Sequence, residues 1–126
     1  MIDHVSVPVS NLDISAGFYE KVLGTIGLTK LVERERTVGF GKKYPEFWIN
    51  LRPSMTVTPD DTGFHCCLRA RSEEDVRAFF QAAMENGGKD DGAPGERQAA
   101  MTTYFGAFIH DPDGNKIEAV TFPAGS

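Results

Sequence analysis

Two histidines and one carboxylate stand out in this chain by type and by position. His4 and His65 each fall near the start of a strand-like run, and Glu118 falls in the last such run, Asp111 to Val120. Two imidazoles and one carboxylate are the donor set of an open divalent-metal site, which leaves coordination positions for water or substrate. A cation held that way acts as a Lewis acid, polarising an oxygen and stabilising negative charge that develops on it. Imidazole and carboxylate suit zinc, nickel, manganese or iron, so the donor types do not choose among them. Singly, each residue also has an ordinary reading as a hydrogen-bonded strand histidine or a solvated strand carboxylate.

The elements around these groups decide whether they can meet. Residues 2 to 9 alternate, with Val5, Val7 and Val9 on one face and Ile2, His4, Ser6 and Pro8 on the other. The valine face requires a core, which leaves His4 on the opposite side. Asn11 caps an expected helix from Leu12 to about Leu23, whose buried stripe is read as Ile14, Phe18 and Val22. A strand-like stretch from Leu28 to Phe40 follows. In the next, Glu46 to Arg52, apolar Phe47, Ile49 and Leu51 alternate with Glu46, Trp48, Asn50 and Arg52. Residues 53 to 63, with Pro53, Pro59 and Gly63, read as a linker.

After the linker the pattern restarts. Phe64 to Leu68 is strand-like, Ser72 with Asp75 is a capping signature, and Val76, Phe79, Phe80 and Ala83 line a second helix ending at Asn86-Gly87-Gly88. One ungapped shift relates the halves: 65 − 4 = 61 for the histidines, 72 − 11 = 61 for the caps, and 79 − 18 = 61 for Phe18 and Phe79. The chain therefore reads as an internal duplication of a strand, a helix and three strands. The expected fold is α+β, with two tandem βαβββ modules, residues 1–57 and 62–124, in one domain spanning 1–126.

In the second half, Gly87 to Gly95 reads as a flexible Gly/Pro-rich loop and Met101 to His110 as an aromatic-rich strand. Asp113-Gly114-Asn115 is a tight-turn signal that makes a hairpin with Lys116 to Phe122, where Lys116, Glu118 and Val120 share a face. Cys67 shares a face with His65 and reads as a small hydrophobe. Trp48, Asn50, Arg52, Tyr104 and Lys116 are candidates for binding substrate through stacking, hydrogen bonds or charge, and His110 reads as a strand-end residue.

Composition narrows the class. The 126 residues are 40% hydrophobic and 25% charged, as in ordinary globular domains. A net charge of −5 argues against a nucleic-acid partner, whose affinity rests on clustered lysine and arginine. Neither a secretory signal nor an apolar run of roughly 18 residues, long enough for a membrane span, is recognisable. Cys66 and Cys67 are adjacent on an expected strand and point to opposite faces, so no internal disulfide and a cytoplasmic location are expected.

The repeated βαβββ pattern, His4 in Ile-Asp-His, Phe18-Tyr19, His65 and above all the string Asp-Pro-Asp-Gly-Asn-Lys-Ile-Glu ending at Glu118 resemble the vicinal oxygen chelate superfamily. That superfamily includes glyoxalase I, bleomycin-resistance proteins, fosfomycin-resistance enzymes and extradiol dioxygenases. The resemblance implies a cup-shaped mixed β-sheet site with helices outside, and one divalent metal held by His4, His65 and Glu118, with Glu118 also the candidate catalytic base. It further implies a small-molecule substrate and a homodimer, an assembly that in this superfamily occurs with or without exchange of modules between subunits. Where glyoxalase I supplies a fourth, glutamate ligand, Asn50 occupies the apparent inward position. The expected function is a metal-dependent lyase or isomerase acting on a small oxygen-chelating metabolite, and the alternative is a non-catalytic drug- or metabolite-binding protein of bleomycin-resistance type.

Overall fold

The computed structural model describes residues 1–123. In chain order the elements are β1 (Val5–Val9), α1 (Leu12–Gly24), β2 (Thr29–Glu33), β3 (Thr37–Gly41), β4 (Pro45–Leu51), β5 (Cys66–Arg69), α2 (Glu73–Glu85), β6 (Lys89–Gln98), β7 (Thr103–His110) and β8 (Lys116–Thr121). The strands form two four-stranded sheets of equivalent order, β1-β4-β3-β2 and β5-β8-β7-β6. In each sheet the first strand of the module pairs parallel to its last strand, while the remaining pairs are antiparallel. A parallel pairing requires a long crossover, which the helix and the intervening strands provide. Residue 124, the expected end of the second module, lies outside the described residues.

The duplication read from sequence holds in three dimensions. Val5 and Cys66 open equivalent strands (66 − 5 = 61), and Leu12 and Glu73 open helices of 13 residues each (73 − 12 = 61). Both caps form as expected: Asn11 Oδ1 accepts from the Ile14 amide at 3.0 Å and Ser72 Oγ from the Asp75 amide at 3.1 Å. Each satisfies an amide that the first helical turn leaves unpaired. α1 packs on β2, β3 and β4, α2 packs on β6, β7 and β8, and the two helices touch. One continuous apolar core results.

Two expectations are corrected. Ile14 is 59% exposed, and α1 instead buries Ser15, Phe18, Tyr19, Val22 and Leu23. Helical residues three and four apart share a face, so the stripe anchored by Phe18 and Val22 runs through 15, 19 and 23 and leaves Ile14 beside it. The segment Gly87 to Gly95 is not a loop throughout, because β6 starts at Lys89 and pairs with β7. Its register shifts between Asp90 and Gly92 and again between Gly92 and Gly95, and bulges of this kind absorb glycine and proline that a regular ladder rejects. The Arg97 guanidinium donates to the carbonyls of Ala93, Gly95 and Gly106, which pins the irregular stretch against β7. Among the described residues, no helix is long and apolar enough to cross a membrane.

Candidate functional site

Glu118 is positioned by the turn that precedes it. The buried Asp111 carboxylate accepts four hydrogen bonds: from the Asp113 amide at 2.9 Å, the Asn115 amide at 2.8 Å, Asn115 Nδ2 at 2.8 Å and the Tyr19 hydroxyl at 2.6 Å. Burial outweighs these donors and raises the Asp111 pKa, while the same burial, with the nearby Asp111 charge, pushes the Tyr19 phenol well above its usual range. Asp113 reaches across to the other module, accepting from the Ser10 amide at 2.9 Å and the Ser10 hydroxyl at 2.6 Å. Asn115 Nδ2 donates to the Pro8 carbonyl at 2.8 Å and the Thr58 amide to the Asp113 carbonyl at 2.9 Å. Gly114 has φ of +90°, and a Cβ there would stand 2.7 Å from the Thr58 carbonyl oxygen. The Asp-Pro-Asp-Gly-Asn string is therefore a clamp between modules; the chemistry lies on the strand it holds.

On β8, Glu118 is only 3% exposed yet lies on the polar face of its sheet. His65 Nε2 stands 3.0 Å from Glu118 Oε1, and the Tyr104 hydroxyl donates to Glu118 Oε2 at 3.0 Å. Desolvation, and secondarily the bond to Glu118, raises the Tyr104 phenol pKa. Cys67 lies opposite Glu118 on the paired strand, and burial of the thiol, with the Glu118 charge second, pushes it up to about 12. His65 packs edge-on against Phe108 with ring centroids 5.4 Å apart. Lys116 Nζ lies 4.9 Å from the centre of the same ring and pairs with Asp91 at 3.0 Å. Asp91 also holds His110 Nε2 at 3.0 Å, so His110 closes the end of β7 and is no part of the Glu118 cluster.

The first module places its candidates elsewhere. His4 Nδ1 is 2.7 Å from Asp3 Oδ1, and its side chain is 53% exposed. His4 and His65 both line a cavity of about 450 Å³ between the starts of β1 and β5, together with Tyr44, Glu46, Phe64 and Cys67. Glu118 is not among its lining residues. Among the described residues, no group of three or more His, Cys, Asp or Glu side chains is arranged to hold a metal ion. Within one chain, β8 and the segment entering β5 bring His65 and Glu118 together, while His4, across the shared cavity, leads into a different sheet.

The strand pairings also revise the place of Asn50. Ser6 pairs with Trp48 in the first sheet as Cys67 pairs with Glu118 in the second, and 67 − 6 = 61. The residue equivalent to Glu118 is therefore Trp48, half-buried over Gly39, with Arg34 5.4 Å from its ring centre. Asn50 sits two residues further along the same face and spends its amide on Ser6 Oγ at 2.7 Å and the Val7 carbonyl at 3.1 Å. Arg52 lies beyond β4, exposed, and donates to the Leu51 carbonyl at 2.9 Å. The residue order did not mark Cys67 as the residue opposite Glu118 or Glu46 as a neighbour of His4, although strand alternation already put each on the relevant face.

Paired βαβββ modules with a His-carboxylate couple on one sheet define the class. The chain belongs to the Glyoxalase/Bleomycin resistance protein/Dioxygenase superfamily, whose family profile matches residues 1–119. It is 32% identical over 122 residues to a Synechocystis protein named "Probable lactoylglutathione lyase", covering 93% of this chain and 92% of that one. To "Metallothiol transferase FosB" of Shouchella clausii it is 27% identical over 120 residues, covering 95% and 79% of the two chains. A glyoxalase/bleomycin resistance protein from Albidiferax ferrireducens superposes with a TM-score of 0.84 at 32% identity, covering 94% of this chain and 97% of that one.

Proposed function

We propose that the protein is a divalent-metal-dependent enzyme of lyase or isomerase type, acting on a small metabolite that presents neighbouring oxygens. The observation that carries this reading is the His65–Glu118 pair, 3.0 Å apart, its carboxylate buried on the polar face of the sheet and its imidazole open to the cavity. The hydrogen shared by Nε2 and Oε1 lies between two groups that are good donors to a zinc-, nickel-, manganese- or iron-type cation, so this half of the site fits such an ion. When bound, the cation supplies Lewis acidity toward substrate oxygens. Tyr104 holds Glu118 Oε2 and so selects Oε1 as the oxygen that faces His65. Glu118 is the proton acceptor, since a carboxylate beside a polarised carbonyl can take a proton from the adjacent carbon. Trp48, Tyr104 and Lys116 contact the rest of the substrate.

His4 completes the donor set from a second copy of the chain in a homodimer. Three features support this: His4 is exposed at the start of an edge strand, it is not gathered with Glu118 in one chain, and Ile2, Tyr44 and Phe64 leave exposed apolar surface around it. The relatives' names, a lyase and a metallothiol transferase, agree with metal-assisted chemistry on small molecules.

Elemental analysis of protein purified without chelator tests the reading: the native chain is expected to carry a stoichiometric divalent metal and His65→Ala to lose it. Stoichiometric metal in His65→Ala sinks the assignment. Mixing His4→Ala with His65→Ala chains tests the second-copy ligand, because a mixed dimer regains one intact site where neither parent has any. The alternative, a binder without turnover, is favoured by one observation: an aromatic residue, Trp48, stands where the pseudo-symmetry would put a second carboxylate. A metal-free protein whose melting temperature ignores added Ni²⁺, Zn²⁺, Mn²⁺ and Fe²⁺ would support that alternative, since a bound ligand stabilises the folded state by mass action.

A further inference from the structure

We propose that Asp3 is a positioning residue for His4, fixing both its orientation and the nitrogen that carries its proton. The inference rests on the reading of His4 as a ligand and adds the group that prepares it. Asp3 Oδ1 lies 2.7 Å from His4 Nδ1, a distance at which the carboxylate takes the imidazole's N–H. A neutral imidazole has one N–H, so giving it to Asp3 puts the free lone pair on Nε2, the nitrogen further from the backbone. In water the neutral side chain favours the opposite tautomer, with its proton on Nε2. Asp3 therefore reverses the intrinsic preference in the sense that frees Nε2 for a cation. Carboxylates that accept the second N–H of a ligating histidine raise its donor strength and hold its ring in place.

The duplicated half shows why His4 needs this and His65 does not. His65 is held by packing against Phe108 and by Glu118. His4 precedes β1, keeps a side chain 53% exposed, and its one hydrogen bond among the described residues is to Asp3. With the carboxylate removed, the ring would sample other rotamers and the other tautomer, and both losses would have to be recovered on binding.

The test uses the full chain with Asp3→Ala, Asp3→Glu and His4→Ala variants. Long-range ¹H–¹⁵N NMR of the metal-free protein reads the His4 tautomer, and titration with Zn²⁺ reads affinity. The native chain is expected to show His4 protonated on Nδ1. Asp3→Ala should move the proton to Nε2 and weaken Zn²⁺ binding about 10- to 100-fold, the range typical of such outer partners, with recovery in Asp3→Glu. An Asp3→Ala protein with unchanged tautomer and unchanged affinity, while His4→Ala loses binding, overturns the inference and leaves the ligand reading standing. Zn²⁺ affinity indifferent to His4→Ala, with the tautomer still answering to Asp3, overturns the ligand reading instead.

Discussion

Replacing Asp111 with alanine should be among the most damaging single changes in this chain, and its cost follows from what it strands. The substitution leaves the Tyr19 hydroxyl, on a residue that is 0% exposed, and the amides of Asp113 and Asn115 without their acceptor. A buried donor left unpaired costs about 1–3 kcal/mol, so three of them give a gross loss of roughly 3–9 kcal/mol. Relaxation and entry of water bring the net cost to the lower half of that range, about 3–5 kcal/mol. Against a total stability of roughly 5–15 kcal/mol the loss is large. Tyr19→Phe alone removes one hydrogen bond to a charged acceptor and should cost about 1.5–3 kcal/mol. In the double variant no tyrosine hydroxyl is stranded, so its cost should fall short of the sum by about 1.5–3 kcal/mol. Urea unfolding followed by far-UV circular dichroism measures all four corners of the cycle. Additivity within about 0.5 kcal/mol would refute the reasoning, since that is the behaviour of sites that do not touch.

The same pair has a pH signature. The folded-state Tyr19 pKa is raised, by burial first and by Asp111 second, so the folded chain holds this proton more tightly than the unfolded chain. The resulting stabilisation is complete below the ordinary phenol range near pH 10 and is lost as pH rises through the folded value. The native chain should lose stability above about pH 10 more steeply than Tyr19→Phe in urea titrations, and parallel curves would refute the coupling. Gly114→Ala places a Cβ at positive φ and against the Thr58 carbonyl, and should cost at least about 1–3 kcal/mol in the same assay; a neutral substitution would mean that the clamp is loose. The Cys67 thiol, pushed up to about 12, should alkylate with iodoacetamide at pH 8 on the order of 10²-fold more slowly than a free thiol, after allowing for the greater intrinsic nucleophilicity of a more basic thiolate. Glu118→Gln should speed that reaction, as read by peptide mass spectrometry, and equal rates in the two proteins would mean that the carboxylate does not govern the thiol.

Much of the architecture was legible in the residue order. Periodicity and caps are local signals, so the Val5-Val7-Val9 alternation, the caps at Asn11 and Ser72, and the 61-residue repeat each pointed to an element that the structure contains. Misreadings arose where a signal depended on a partner elsewhere in the chain. The Gly92 and Pro94 region looked like a loop because ladder bulges leave no periodic mark, and Ile14 looked buried because a four-residue spacing alone does not say which side of α1 meets the sheet.

By itself, then, the sequence determined the duplication, the two helix-capped modules, the family, the strand face on which Glu118 lies, and the places of His4 and His65 at the entries to equivalent strands. Only the tertiary structure decided that Trp48 rather than Asn50 matches Glu118, that Tyr104 and His65 hold this carboxylate, that Asp111 is bound to Tyr19, and that His4 stands apart with Asp3. The division has one physical cause. Face and helix content follow from backbone geometry over a few residues, whereas register and contact partners depend on pairings between residues far apart in the chain, and those are settled only when turns, bulges and the core are satisfied together.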